Sequence, residues 1–352
     1  MHGQQSVKAL VWLVWGLLLF SPFLFQDVRS LEVAARICVF IALVASYDLL
    51  LGYTGIVSFA HTMFFGLGAY GLAIASRTLG AGWEAVLLGS ACGLLVSLLV
   101  ALLVGLLSLR VKAIFFAMIT LATASVALVL VSQLSSFTGG EDGLTYRVPE
   151  LFKTSTALLY NAEGKVARLF GVKLNGKLAA YYFVFVISLA AFLFLLKVVA
   201  SPLGSVLQAI RENEARAEAI GYRVVLFRTL VFCLAAMIAS LMGSVYALWL
   251  KYTGPETSLS FSIMIDILLM AVIGGMGTMR GAVIGASLLV IAQYYLRDLM
   301  EAAMEATANL PLLPLILNPD RWLLWLGIVF ILLVYFFPSG IVGTLQKNKG
   351  HS

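Results

Sequence analysis

The chain has 352 residues, 62% of them hydrophobic and 11% charged, with a formal net charge of +6. A mean hydropathy of +1.02 with several apolar runs near span length excludes a soluble globular domain and indicates a polytopic membrane protein in the lipid bilayer. The small positive charge argues for a loop bias rather than for nucleic acid as a partner, and Cys38, Cys92 and Cys233, each inside an apolar run, suggest neither a disulfide framework nor a metal cluster.

Residues Ala9 to Phe25 form the first apolar run. No A-x-A-like cleavage site follows it, so it reads as a retained span rather than a signal peptide. Val33 to Leu51 is the second span. It leads into LLLGYTGIVSFAHTMFFGLGAYG, Leu49 to Gly71, where glycines interrupt an apolar region and Tyr53, Thr54, Ser58, His61 and Thr62 add polar atoms. Gly66, Gly68 and Gly71 match G-x-G-x-x-G, but with no preceding strand or βαβ unit the match is a false positive. Glycine at membrane depth serves close helix packing or a broken helix beside a cavity.

Trp83 to Leu109 and Ala113 to Leu134 are the next spans, joined by a short turn at Arg110 and Lys112. Residues 135–179 form the longest polar region, opening with the acidic turn Gly139, Gly140, Glu141, Asp142. Two carboxylates without alternating ligands fall short of a calcium site. The rest of this region, with Asn161, Gly164, Gly171, Asn175 and Gly176, reads as extracytoplasmic turns. Ala180 to Val199 spans back.

Residues 201–223 and the few that follow, SPLGSVLQAIRENEARAEAIGYRVVLFR, stand apart because they gather charge in a chain that has little. Ser201 suits an N-cap, Pro202 the first helical position, and Gly221 a C-terminal stop. Glu212 and Arg216 are four apart in the favourable order. Leu203, Leu207 and Ile210 share a face. The segment is one or two amphipathic helices outside the bilayer. Val224 to Leu250 and Ser262 to Gly274 then cross, the latter carrying Asp266. In GGMGTMRGAVIGA, Gly277, Gly281 and Gly285 recur every four residues, giving a small-residue face on a span that continues to about Leu296. Residues 297–321 are amphipathic and then proline-bearing, at Pro311, Pro314 and Pro319, and Trp322 to Phe337 is the last span.

The fold expected is all-α and polytopic, a single transmembrane domain over 1–352 with about ten spans, both termini on one side and a cytoplasmic helix at 201–223. Of the 23 Lys and Arg, eleven fall inside and twelve outside or at that border, six of the twelve in the single long loop; leaving out that loop gives eleven against six, which favours cytoplasmic termini. The two glycine-rich regions, one in each half, are compatible with an inverted repeat.

Four separated stretches resemble the LivM-type permease subunits of branched-chain amino acid ABC importers: GYTGIVSFAHTMFFGLGAY, TGGEDGL, AIRENEARAEAIGY and GGMGTMRGAVIGA. The likeness covers most of residues 47–285. Ala60 stands where the family often has glycine, and Glu141 falls at a variable position. The resemblance implies that Arg211, Glu212, Asn213, Glu214, Arg216, Glu218 and Gly221 form a coupling helix that docks in a cleft of a separate ATPase subunit. It also implies a second, related permease and an extracytoplasmic solute-binding protein. Residues Tyr53, Ser58, His61, Gly66 and Gly68, with Gly277 and Gly281 on a facing helix, are expected along the translocation path. Gly139, Gly140, Glu141 and Asp142 are expected to face the receptor. Branched-chain or other hydrophobic amino acids are the implied cargo; related permeases are implied to carry urea, short amides or aromatic acids.

No P-loop, H-E-x-x-H, C-x-x-C or G-x-S-x-G occurs in the sequence, so neither catalysis, nor a cofactor, nor a metal is expected, and any ATP is hydrolysed elsewhere. The alternative of another class is an ATP-independent secondary transporter or channel. It calls for intramembrane charge pairs, and leaves the charged segment at 201–223 without a role. Three intramembrane ionisable groups carry weight: Asp48 as a helix-end residue, His61 as a neutral histidine bonded between helices, and Asp266 as a cap or structural pair.

Overall fold

The computed structural model describes all residues except 1, 26, 109–112, 158, 160–166, 170–171, 307–317 and 348–352. Expectations for Arg110, Lys112, Asn161, Gly164, Gly171, Pro311 and Pro314 therefore lie outside the described residues. The protein is an all-α polytopic membrane protein. Among the described residues, nine helical segments are long and apolar enough to cross a bilayer.

The chain opens with α1 (His2–Leu24) and α2 (Val28–Thr54). α2 is the axis of the molecule, 94% buried over its most apolar stretch. It packs against α7 (Gly176–Ala200), α10 (Val224–Leu250), α12 (Phe261–Gly274) and α13 (Met279–Ala306). Between Arg36 and Asp48 it carries no charged residue, and a stretch apolar nearly all round fits only such a position. α3 (His61–Thr78) and α4 (Trp83–Ser108) wrap α10, and α5 (Ala113–Gln133), followed by the one-turn α6 (Ser135–Thr138), lies outside them. α5 is 11% buried over its span, so most of its leucines, valines and isoleucines face away from the chain. The last span is α14 (Trp322–Phe336), similarly peripheral, followed by α15 (Gly340–Lys347).

Side-chain contacts fix the direction of each helix. The Tyr181 and Tyr182 hydroxyls at the start of α7 donate to the Leu18 and Leu19 carbonyls near the end of α1. Arg29, at the start of α2, meets Asp298 of α13 at 2.5 Å, and Lys177 lies 3.7 Å from Glu32. These contacts collect at the end of the molecule that holds residues 135–179. At the opposite end, α2 finishes beside the turn between α12 and α13. That end also carries the short helices α8 (Pro202–Glu212) and α9 (Glu214–Ala219).

α2 and α10 are both 27 residues long and run antiparallel. Each ends in a left-handed residue, Gly55 (φ 71°) and Lys251 (φ 60°). α2 is followed by a non-helical turn that folds back and starts the shorter α3, and α10 by a turn holding the one-turn helix α11 (Pro255–Ser258) that starts the shorter α12. The two turns meet: the rings of Phe59 and Phe261 are 6.2 Å apart, and Leu259 packs on Gly66. Irregular backbone at such a depth is tolerated only inside protein or beside a cavity.

Tight packing of α3 depends on glycine. A Cβ at Gly68 would collide with the Ser240 backbone of α10, and one at Gly71 would sit 2.7 Å from the Gly89 carbonyl of α4. Small residues let helix backbones approach where lipid provides no hydrophobic drive. The G-x-G-x-x-G run is thus a two-sided packing face.

Two expectations change. α13 runs to Ala306 rather than ending near Leu296, because Tyr294, Tyr295 and Asp298 lie against α2 and hold the helix past the apolar stretch. Gly277 is not on a helix face. It lies in the turn between α12 and α13 at φ 79°, a left-handed conformation that suits glycine. Gly281 and Gly285 do pack against α12, at Gly274 and Met270.

Replacing Gly68 with Val should destabilise the protein by ~1–3 kcal/mol through overpacking. Gly16 in α1 has open space around its Cα, and Gly16→Val should be near neutral. Thermal unfolding of the two variants in detergent, followed by size-exclusion chromatography, checks the difference.

Candidate coupling and translocation site

The charged segment folds as an elbow. α8 begins after Ser201, whose hydroxyl donates to the Val198 carbonyl rather than capping the helix. Leu207 is buried in the main core, and Ile210 is buried against Ala217 of α9 and Val224 at the start of α10. Asn213 then interrupts the helix in an extended conformation, and its side chain accepts from the Arg216 N–H at 2.9 Å, capping α9. This break puts Glu212 and Arg216 on different helices, so the expected four-apart pair belongs to no continuous helix. Glu214 pairs instead with Arg228 of α10 through two bonds of 2.7 and 3.0 Å, the strong bidentate geometry. Gly221 ends the segment at φ 98°. Glu212, Arg216 and Glu218 remain exposed. Beside them Ile220 is 67% exposed.

Arg211 points the other way. Its guanidinium donates to the Gly52 carbonyl in the last turn of α2, one of the carbonyls that a helix cannot satisfy internally. Gly52 in turn rests on Gly277: a Cβ at position 52 would overlap the Gly277 backbone. One turn earlier, buried Asp48 accepts the Gly277 N–H at 2.8 Å. The elbow, the end of α2 and the α12–α13 turn therefore form one cluster. Tyr53 and Gly277 also line a cavity of about 300 Å³ there, with Thr278 and Arg280.

Higher in the molecule, His61 opens α3 and is fully buried. Its Nε2 is 2.8 Å from the Ser46 hydroxyl of α2, and the Tyr47 ring meets it edge-on at 5.3 Å. It is a histidine bonded between helices. Ser58, also fully buried, accepts from the Ala60 N–H, and the Phe59 N–H donates to Thr120 of α5. Neither Ser58 nor His61 reaches the surface of the isolated chain. Gly66 and Gly68 serve packing, and Gly281 lies against Gly274 and Thr278. The structure thus places Tyr53 with Gly277, and Ser58 with His61, but it does not bring these two pairs together. The turn residues Val57 and Phe59 do reach an open apolar groove of about 310 Å³ that continues over Ile114, Met118 and Leu121 of α5.

At the other end, Glu141 and Asp142 are exposed on a 3₁₀ turn. Gly139 and Gly140 are left-handed, at φ 76° and 63°. A short antiparallel ladder, Leu144 with Thr253 and Thr145 with Tyr252, ties the turn to the segment after α10. The Tyr252 hydroxyl donates to the Asp142 carbonyl at 3.0 Å.

Arg36 is a polar residue that the sequence reading does not single out. Its Nη1 donates to the Tyr294 hydroxyl at 3.3 Å, and its guanidinium lies over the Phe40 and Tyr294 rings. Asp266 is 4.0 Å away and is held by Gln293 at 2.8 Å. Asp266 is thus a structural pair, with a partner 230 positions distant. The available signal was a lone arginine inside an apolar run, which is expensive without a partner.

A family model described as the branched-chain amino acid transport system permease component matches residues 30–335. The chain belongs to this family. LivM, the high-affinity branched-chain amino acid transport system permease protein of Salmonella typhimurium, is 26% identical over 324 residues, covering 90% of this chain and 75% of that protein. The Escherichia coli protein of the same name is 25% identical over 328 residues, again 90% of this chain and 75% of the relative. A probable LivM of Methanocaldococcus jannaschii is 25% identical over 173 residues, 48% of each. No solved structure matches. The protein is a LivM-type transport permease, a multi-pass membrane protein.

Asp48→Leu leaves the buried Gly277 N–H without an acceptor and should cost ~1–3 kcal/mol. Asp48→Asn keeps an amide oxygen at the same place and should cost less. Comparing the melting temperatures of the two purified variants checks the order.

Proposed function

We propose that this chain is the membrane-spanning permease subunit of an ATP-driven, binding-protein-dependent importer of branched-chain or other hydrophobic amino acids. The observation that carries the proposal is the elbow of α8 and α9. It presents Glu212, Arg216, Glu218 and Ile220 outward while Arg211 holds the end of α2. A helix that only joined two spans would need no such inward tie. The exposed face is suited to a cleft in an ATPase subunit, which supplies the hydrolysis. This chain is then a non-catalytic partner. Arg211, Asn213, Glu214 and Gly221 set the shape of the elbow, and the exposed charges choose its partner.

A second, related permease is proposed to cover the face formed by α5 and the turns at Phe59 and Phe261. The path would run along that face, where two broken helices meet. Tyr53, Gly277 and Arg280 would lie at its inner mouth; Ser58, His61, Gly66, Gly68 and Gly281 would act from behind, by holding the turns in place. The loop of residues 135–179, with Gly139, Gly140, Glu141 and Asp142 at its acidic turn, is proposed to meet the solute-binding protein. Selectivity then rests largely on that receptor, and the permease pocket can stay shallow.

The test uses the assembled importer in proteoliposomes. Reversing Glu212 and Glu218 to Lys together should lower solute-stimulated ATP hydrolysis by about tenfold, the effect of losing about 1.4 kcal/mol of docking energy. The variant should remain folded by size-exclusion chromatography. Unchanged hydrolysis and uptake would exclude docking at the elbow, and uptake without any ATPase would favour a secondary transporter.

A further inference from the structure

At the outer end of the molecule a cavity of about 500 Å³ opens between α2, α7 and α10, a size usual for small-molecule sites. The loop of residues 135–179 contributes to it through Phe152. Its charged lining is one carboxylate, Glu32, and two ammonium groups, Lys177 and Lys251. Trp249, Tyr246 and Tyr294 add aromatic wall, and Thr154 and Asn175 are its uncharged polar members.

The charges are incompletely used. Lys177 is 3.7 Å from Glu32, beyond a good hydrogen bond, and its ammonium sits 5.7 Å from the centre of the Trp249 ring. Lys251 donates to the Phe152 carbonyl at 3.2 Å; among the described residues no carboxylate pairs with it. It is also the one described non-glycine residue with positive φ, 60°, a conformation uncommon away from glycine. The α10 terminus therefore holds this lysine in place at some conformational cost. Burial and the neighbouring Lys177 pull the Lys251 ammonium below its ordinary pKa. Two cations that repel one another across a cavity favour an anion between them, and the nearby Glu32 favours a cation beside that anion.

We infer that this cavity is a binding site for an α-amino acid with an apolar side chain. The solute carboxylate is held between Lys177 and Lys251, its ammonium by Glu32, and its side chain against Trp249 and Tyr246. The site lies beneath the loop proposed to meet the receptor, so it is a first station for solute entering the permease. This deepens the amino-acid importer reading and rests on it for the class of solute.

Binding of radiolabelled L-leucine to the full chain in lipid nanodiscs tests the site, with 4-methylpentanoate (no ammonium) and 3-methylbutylamine (no carboxylate) as competitors. Saturable leucine binding is expected. Lys251→Gln and Glu32→Gln should each weaken it tenfold or more in protein that stays monodisperse by size-exclusion chromatography, and Lys251→Arg should restore most of it. Each single-charge competitor should be at least tenfold weaker than unlabelled leucine. The inference is overturned by absent saturable binding to folded wild-type chain, by equal affinity in Lys251→Gln and Glu32→Gln, or by 4-methylpentanoate competing as well as leucine. Should either glutamine variant unfold, the two competitors on the wild-type chain decide the matter alone. Co-purification of an ATPase with the same chain separates the two readings. Leucine binding without an ATPase sinks the ATP-driven reading and keeps the site, and an ATPase without leucine binding sinks the site alone.

Discussion

The C-terminal end of α2 depends on one small cluster of polar contacts. Asp48 takes the Gly277 N–H, Gly52 lies against Gly277, and Arg211 reaches the Gly52 carbonyl. In lipid, hydrophobic burial does not favour one helix neighbour over another, so a directed contact does what apolar packing does in water. The carboxylate and the carbonyl would be costly to leave bare. Their partners come from the second half of the chain and from the elbow. The halves are thereby joined at the point where α2 ends.

The remaining order follows from how polarity is spent around α2. Toward its N-terminal end, Arg29, Glu32 and Arg36 lie on successive turns and engage Asp298, Lys177 and Asp266. Between these and the Asp48 cluster, contact is by close approach and aromatic edges: Gly68 on Ser240, Phe40 on Tyr246, Phe64 on Phe232. Polar contacts at both ends set the register of α2, and the glycines between them set its distance from the neighbours. Peripheral α5 and α14 carry few polar contacts and little burial, which suits surfaces that meet lipid or another chain.

Much of this was legible in the sequence because the bilayer imposes length and hydropathy on every span. Pro202, Gly221 and the charges between them marked the elbow, and the glycines of α3 marked a close contact. Pairings across the chain were not legible. Nothing local to Asp266 names Arg36, and nothing near Lys251 names Phe152, because such partners depend on which helices become neighbours. Asn213 read as part of a charged helix, yet its side chain served the backbone better as a cap. Gly277 fitted a four-residue repeat with Gly281 and Gly285. A repeat of small residues does not reveal that the first member has a positive φ and belongs to the turn.

The break at Asn213 has a mechanical consequence. α8 is fixed to α2 through Arg211, whereas α9 is fixed to α10 through the Glu214–Arg228 pair. α2 and α10 run in opposite directions and lead into the two turns that meet at Phe59 and Phe261. The elbow therefore has two polar anchors, one on each of the two long helices. Ile210 of α8, Ala217 of α9 and Val224 of α10 share one small buried cluster, so the two arms also rest on each other. Any force applied to either arm would be borne by α2 and α10 together.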